Sequence, residues 1–192
     1  MQILTVLGSP RRHGNTAKAL GWVEDQFRAD RHAVDHVNIL DFNVGGCREC
    51  LICKKGGTEK LCALDDDAIG IFQRMAKSDL VLLASPVFCW GFPAQIKALI
   101  DRTYCLMDFD APRTDLPRLR GKAMALMLTA GGDRIDNADL VFRGFHHMVG
   151  LLRTRLAGTW LVPNCTEPEA LGEDVRQHAA EFARTLASKI AS

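Results

Sequence analysis

The sequence predicts an α/β fold, a three-layer, doubly wound sheet of five parallel strands. Three observations carry this. Five short apolar runs alternate with segments of helical periodicity. Two of the runs, "DLVLLASP" and "AMALMLTAGG", are apolar on both faces, as strands buried between helical layers must be. No repeat, low-complexity tract or linker interrupts the 192 residues, so one domain spanning 1–192 is expected, with a cysteine-rich insertion loop at 45–65.

Each element follows from local pattern. "ILTVL" (3–7) is a β-rich run ending at Gly8. From about Thr16 to Ala29, Leu20, Val23 and Phe27 recur at helical spacing. "AVDHVNI" (33–39) alternates as a strand does, and the cysteine stretch after it has no usable period. "LDDDAIGIFQRMAKS" (64–78) reads as a helix capped by Asp65 or Asp66. Strand 79–86 leads to a helix over 93–107, with Pro93 in its first turn. A polar connector (110–122) precedes the strand that begins at Ala123. A helix at 137–152 and a last strand, "RLAGTWLVP" (155–163), follow. The final helix is expected from Pro168 to Ile190, with Thr166 and Glu169 at capping-box spacing and Leu171, Val175, Phe182, Leu186 and Ile190 on one face.

Bulk properties narrow the function. A net charge of +1 gives no global attraction to nucleic acid or membrane. The N-terminal apolar run is too short for a signal peptide, so a cytoplasmic setting is expected, where structural disulfides are disfavoured. Doubly wound sheets bind ligands beyond the carboxyl ends of their strands. Three such ends are informative: "GSPRRHGNT" (8–16), "SPVFCWGF" (85–92) and "TAGG" (129–132). The first joins a strand to a helix N-terminus, where free N–H groups and the helix dipole favour an anion. Ser9, Asn15 and Thr16 add short polar side chains, and Arg11 or Arg12 adds charge. The loop is neither a P-loop nor a G-x-G-x-x-G turn.

These motifs carry a resemblance. "GSPRRHGNT" resembles the FMN-phosphate loop of flavodoxin-like NAD(P)H-dependent FMN reductases. "ASPVFCWGFPAQIKALIDRT" (84–103) and "LRGKAMALMLTAGG" (119–132) resemble that superfamily's next two signatures, and the cysteines followed by "DDD" resemble its iron–sulfur flavoprotein branch. The similarity covers roughly residues 1–135. It implies the flavodoxin-like strand order 2-1-3-4-5. It also implies that Ser9, Arg11, Asn15 and Thr16 hold the FMN phosphate. Pro86, Val87, Phe88, Cys89, Trp90 and Gly91 would border the isoalloxazine, with Thr129, Ala130, Gly131 and Gly132 along its other edge. Cys89 departs from the aromatic or small residue expected there and is read as a buried bystander thiol.

"GGCRECLICKKGGTEKLC" (45–62) holds Cys47, Cys50 and Cys53 at C-x2-C-x2-C spacing, with eight residues separating Cys53 from Cys62. Four soft thiolates suit a [4Fe–4S] cluster or a structural zinc, and free or oxidised thiols remain a third reading. Zinc sites more often use two separated C-x2-C pairs. Gly45, Gly46, Gly56 and Gly57 would let the chain wrap a cluster; Arg48, Lys54, Lys55 and Lys60 would offset its charge. Cys105 and Cys165 are read as structural. His146 and His147 have no ligand-like partner in spacing. Asp101 and Arg102 are read as a helix-end ion pair or a subunit contact.

The function expected is an FMN-dependent oxidoreductase with NAD(P)H, or ferredoxin, as electron donor. It would pass electrons through the flavin, with a [4Fe–4S] relay if the cluster is held, to a quinone, flavin or other small acceptor. No catalytic side chain is assigned, because flavin N5 carries the chemistry. The alternative is a non-enzymatic FMN electron carrier or a thiol redox sensor. A homodimer or homotetramer is expected, with Trp90, Phe92 and segment 110–120 as candidate contacts. No nucleic-acid or membrane partner is expected.

Overall fold

The structure, a computed structural model, describes residues 1–55, 61–107, 119–167 and 171–191. Five parallel strands form one sheet: β1 (Gln2–Leu7), β2 (Ala33–Asn38), β3 (Leu80–Pro86), β4 (Ala123–Thr129) and β5 (Arg155–Val162). Their order is β2-β1-β3-β4-β5, as the family resemblance implies. The helices are α1 (Asn15–Ala29), α2 (Ala68–Lys77), α3 (Ala94–Arg102), α4 (Asp139–Leu151) and α5 (Glu173–Ala191).

Alternation along the strands divides the core in two. Leu4, Val6, Val81, Leu83, Met124, Leu126 and Leu128 face one side and pack with α2, α3 and α4. Ile3, Leu80, Leu82, Ala84, Ala125 and Met127 face the other and pack with α1 and α5. The three central strands are therefore apolar on both faces, and their burial fixes the register. On the α1 face, Thr5 Oγ1 donates to buried Glu24 at 2.5 Å, and His36 Nδ1 lies 2.6 Å from the same carboxylate oxygen.

Several boundaries differ from expectation. Helix α2 starts only at Ala68; Asp66 still serves its first turn, accepting from the Ala68 N–H. The 93–107 segment is α-helical only to Arg102 and tightens to a 3₁₀ turn at Thr103–Leu106. Residues 134–138 form an irregular turn with Asp136 in the left-handed region, which delays α4 to Asp139. Pro168 and Glu169 lie outside the described residues, as do Gly56, Gly57, Lys60 and 110–118 of the connector.

The sheet reverses direction of progression between β1 and β3. Gly8 sits at that point: its N–H donates to the Ala84 carbonyl at 2.7 Å. A Cβ here would stand 2.4–2.9 Å from three Ile96 side-chain atoms, so only glycine lets α3 pack this close to the loop after β1.

Candidate functional site

The three strand ends converge on one cavity of about 220 Å³. Ser9, Pro10, Arg11, Gly14, Asn15 and Thr16 form one wall; Pro86, Val87 and Phe88 form a second. Thr129, Ala130, Gly131, Cys165 and Thr166 complete it.

The first wall presents donors of the kind that suit an anion. Helix α1 begins at Asn15 with Gly14 as N-cap, no side chain caps it, and its first turn holds no acidic residue. The leading N–H groups of a fifteen-residue helix are thus left for another acceptor. Ser9 Oγ accepts from the Arg11 N–H at 3.1 Å and so shapes the turn. Thr16 Oγ1 bonds Thr129 Oγ1 at 2.7 Å, tying the loop to the end of β4. Asn15 Oδ1 is buried and has no partner. Buried polar atoms are seldom left so, and the orphan marks a place for a ligand group. Of the two arginines, Arg12 is engaged by Asp41 at 2.6 Å, whereas Arg11 lines the cavity.

The second wall is a tight turn. Phe88 and Gly91 bond each other reciprocally at 2.8 and 3.0 Å, with Cys89 and Trp90 at φ of 44° and 59° between them. Both apex residues therefore occupy the left-handed region, at a cost of about 1–2 kcal/mol each. The turn throws Cys89 into solvent, which corrects the reading of a buried thiol. Trp90 is 61% exposed, and its Nε1–H donates to the Asp136 carbonyl. Ten of the fourteen residues expected around a flavin line the cavity. Cys89, Trp90, Gly91 and Gly132 stand outside its lining.

Pro10, Gly14, Cys165 and Thr166 were not among those expected. The Cys165 N–H donates to the Ala130 carbonyl, and the Ala130 N–H to that of Val162, which draws the loop after β5 to the cavity. Cys165 is thus part of this wall. Its thiol is half-buried and held above its ordinary value by burial. The same strand-end rule applied to β5 would have found both Cys165 and Thr166.

A second, larger cavity, about 530 Å³, lies beside the cysteine loop. Cys47, Cys50, Cys53, Cys62 and Cys105 all line it, with Arg48, Arg102 and Tyr104. Burial raises the Cys53 thiol; Lys54 opposes this, and charges on Cys62, Cys47 and Cys50 add to it. Cys105 is pushed up to about 12 by burial, then by Cys62 and Cys53. It belongs to this cavity, which corrects the reading of an isolated structural thiol. Among the described residues, no three His, Cys, Asp or Glu side chains close on one point as metal ligands do.

The loop is anchored at both ends. The Asn43 and Gly45 N–H groups donate to Asp67 and Asp66 carboxylates at 2.7 and 2.9 Å. Arg102, only 1% exposed, donates to both Asp66 oxygens at 2.6 and 3.1 Å and to the Gly45 carbonyl at 3.0 Å. Burial alone would raise the Asp66 carboxyl; Arg102 and the N–H groups of Gly45 and Ala68 outweigh it and hold it below the usual range. Arg102 is therefore neither paired with Asp101, which binds Lys97, nor available to a second subunit.

Comparison with known proteins gives the chain's family. The family model for the NADPH-dependent FMN reductase matches residues 1–166. An iron–sulfur flavoprotein of Methanosarcina thermophila is 30% identical over 155 residues, covering 79% of this chain and 76% of that one. One from Archaeoglobus fulgidus is 32% identical over 122 residues, 64% of this chain and 51% of its own length. Among solved structures, a flavone reductase superposes with a TM-score of 0.75 at 15% identity, covering all of this chain and 64% of that one. An FMN-dependent NADH-azoreductase of Bacillus anthracis, in complex with FMN, gives 0.70 at 13% identity over 97% of this chain and 100% of its own. The structural neighbours share the fold; the sequence matches go further, and the chain belongs to the NADPH-dependent FMN reductase family of flavoprotein oxidoreductases, with iron–sulfur flavoproteins among its relatives.

Proposed function

We propose that this chain binds FMN in the strand-end cavity and passes electrons from NAD(P)H, or from a ferredoxin-type carrier, to a small acceptor such as a quinone or flavin. The observation that carries this reading is the uncapped N-terminus of α1 with the unpartnered Asn15 Oδ1 beside it. A phosphate accepts from the free N–H groups, from Arg11 and Thr16, and from the Asn15 amide once that group turns its Nδ2 inward. The residues therefore fit FMN. Ser9 keeps the turn open, and Gly8 keeps it close to the sheet. At about 220 Å³ the cavity falls below the roughly 300–1,000 Å³ of an enclosed small-molecule site. It accordingly takes the phosphate and sugar end and leaves the ring against Pro86, Val87 and Phe88. The bound flavin would supply the hydride-accepting centre. The chain's part is then binding, orientation and exclusion of water from one face of the ring.

Phe88, Trp90 and Ile135 stay exposed near that open side, and they support a second copy covering it as a homodimer or homotetramer. Cys47, Cys50, Cys53 and Cys62 line the cysteine cavity beside a buried guanidinium and supply the soft donor types of a [4Fe–4S] cluster, although no three of them converge on one point as ligands do. Such a cluster would supply one-electron transfer. The chain holds its cysteines as free thiols, and no described helix is long and apolar enough to cross a membrane; a cytoplasmic setting is proposed.

Steady-state assay tests the reading. FMN-loaded protein should oxidise NADH or NADPH with a quinone or ferricyanide as acceptor. No turnover with either donor, while reduced ferredoxin bleaches the flavin, would favour a carrier over a reductase.

A further inference from the structure

Helix α4 buries one side, through Val141, Phe142, Phe145, Met148 and Val149. Its other side leaves Leu140 and Leu151 exposed, at 47% and 54%. Leu140, Gly144, His147 and Leu151 follow one another at spacings of four, three and four, so they share one outward stripe. Apolar surface continues past the helix start. Ile135 is exposed, and the Trp90 indole is tied to the neighbouring Asp136 carbonyl. With Phe88, these make five of the seven large apolar side chains exposed among the described residues. Single exposed leucines are ordinary; apolar residues gathered along one helix and its leading turn mark a surface that another chain covers. Gly144 is exposed too, and a Cβ there would meet nothing within 4 Å. Glycine weakens a helix interior relative to alanine, and nothing inside the chain requires it here. A second helix crossing at this point does, because the distance between packed helices is set by the side chains at their contact.

Spacing and charge identify that second helix. The pair Leu140 and Leu151 and the pair Gly144 and His147 share one midpoint, between Phe145 and His146. A stripe symmetric about its own midpoint is complementary to an antiparallel copy of itself. Asp133, Asp136 and Asp139 gather at the start of α4, with Arg134 held over the Phe142 ring. Arg153 follows the end of α4, and the Gly121 N–H on the Arg153 carbonyl brings Arg120 and Lys122 alongside. None of these three acids and three unstacked cations forms an ion pair with another described residue. This polarity suits the dipole of α4 itself. It also repels a parallel copy and attracts an antiparallel one.

We propose that α4 is the centre of a two-fold interface between copies of this chain: the two helices run antiparallel, Leu140 packs on the partner's Leu151, and Gly144 lies under the partner's His147. This rests on the homo-oligomer reading above and names its central surface. Ile135 and Trp90 carry the interface toward the flavin cavity.

Sedimentation velocity on the purified protein at micromolar concentration should show a dimer or tetramer. Leu140→Arg and Gly144→Leu should each weaken association by about tenfold or more. Gly144→Leu raises helix propensity in the free chain, and circular dichroism monitors the fold of both variants. Gly70→Leu, the same change at an equally open glycine of α2, should leave association unchanged. A photoreactive benzoylphenylalanine in place of Leu140 should cross-link to the segment around Leu151 of a second, isotopically distinct chain. An oligomer unmoved by the two α4 variants, or one that cross-links from position 140 anywhere but that segment, overturns this interface and leaves homo-oligomerisation standing. A wild type that sediments as a monomer overturns both.

Discussion

Asn15 and the pair Glu24–His36 carry the most informative chemistry at the level of single side chains. Asn15→Ala removes the orphaned amide and one contact to a charged group, which is worth about 1.5–3 kcal/mol. FMN affinity should drop at least tenfold by fluorescence titration, with riboflavin affinity little changed. Glu24 is a separate matter. Burial opposes its ionisation, but hydrogen bonds from His36 and Thr5, helped by Arg28, hold its carboxyl below the ordinary 4.5. The same bond holds His36 above its ordinary 6.5, against burial. The His36 contribution is therefore fully present below pH 6.5 and fades as pH rises through the raised value. The Glu24 contribution is fully present above pH 4.5 and fades as pH falls through the lowered one. Urea midpoints of wild type and His36→Gln should differ most between pH 4.5 and 6.5 and approach each other above it. The shared place of Ser9, Arg11, Asn15 and Thr16 on one cavity wall was legible because a strand, a polar turn and a helix start sit in fixed order. Glu24 and Arg102 were not, because their partners are distant in sequence and only the fold joins them.

Two glycine-related positions test how elements are joined. Gly8→Ala drives a Cβ into the Ile96 side chain close to its backbone, an overpacking worth about 1–3 kcal/mol. It should lower the thermal midpoint and weaken FMN binding together, since the displaced loop is the phosphate loop. Arg31 lies just past α1 at φ 63°, with its N–H on the Arg28 carbonyl and the His32 N–H on that of Phe27. This is the Schellman arrangement, in a position that favours glycine. Arg31→Gly relieves about 1–2 kcal/mol of left-handed strain against 0.5–1 kcal/mol of added chain entropy. A gain of about 0.5–1 kcal/mol is expected by denaturant melt, without change in flavin affinity. Elements with strong apolar period were readable to within a few residues. The turn at Cys89–Trp90 was not, because neither residue advertises a left-handed backbone. The cysteine loop has no period at all, and it takes its shape from anchors at Asn43, Gly45 and Arg102.

For the molecule as a whole, strand order decides where chemistry can occur. With β1 and β3 adjacent at the centre, the loops after β1, β3 and β4 must open on one edge, and the loop after β5 is drawn in beside them. Strand order thus followed from the family resemblance, and most of the cavity wall from three strand ends. The fifth thiol at the cysteine cavity was not, since Cys105 reaches it from a helix end more than forty residues downstream. The central claim is that the loop from Ser9 to Thr16 holds a flavin by its phosphate. Titrating flavin-free protein with FMN and with riboflavin tests it most directly. FMN should bind at least tenfold more tightly than riboflavin, the preference falling in Asn15→Ala; equal affinity for the two, or no FMN binding, would contradict it.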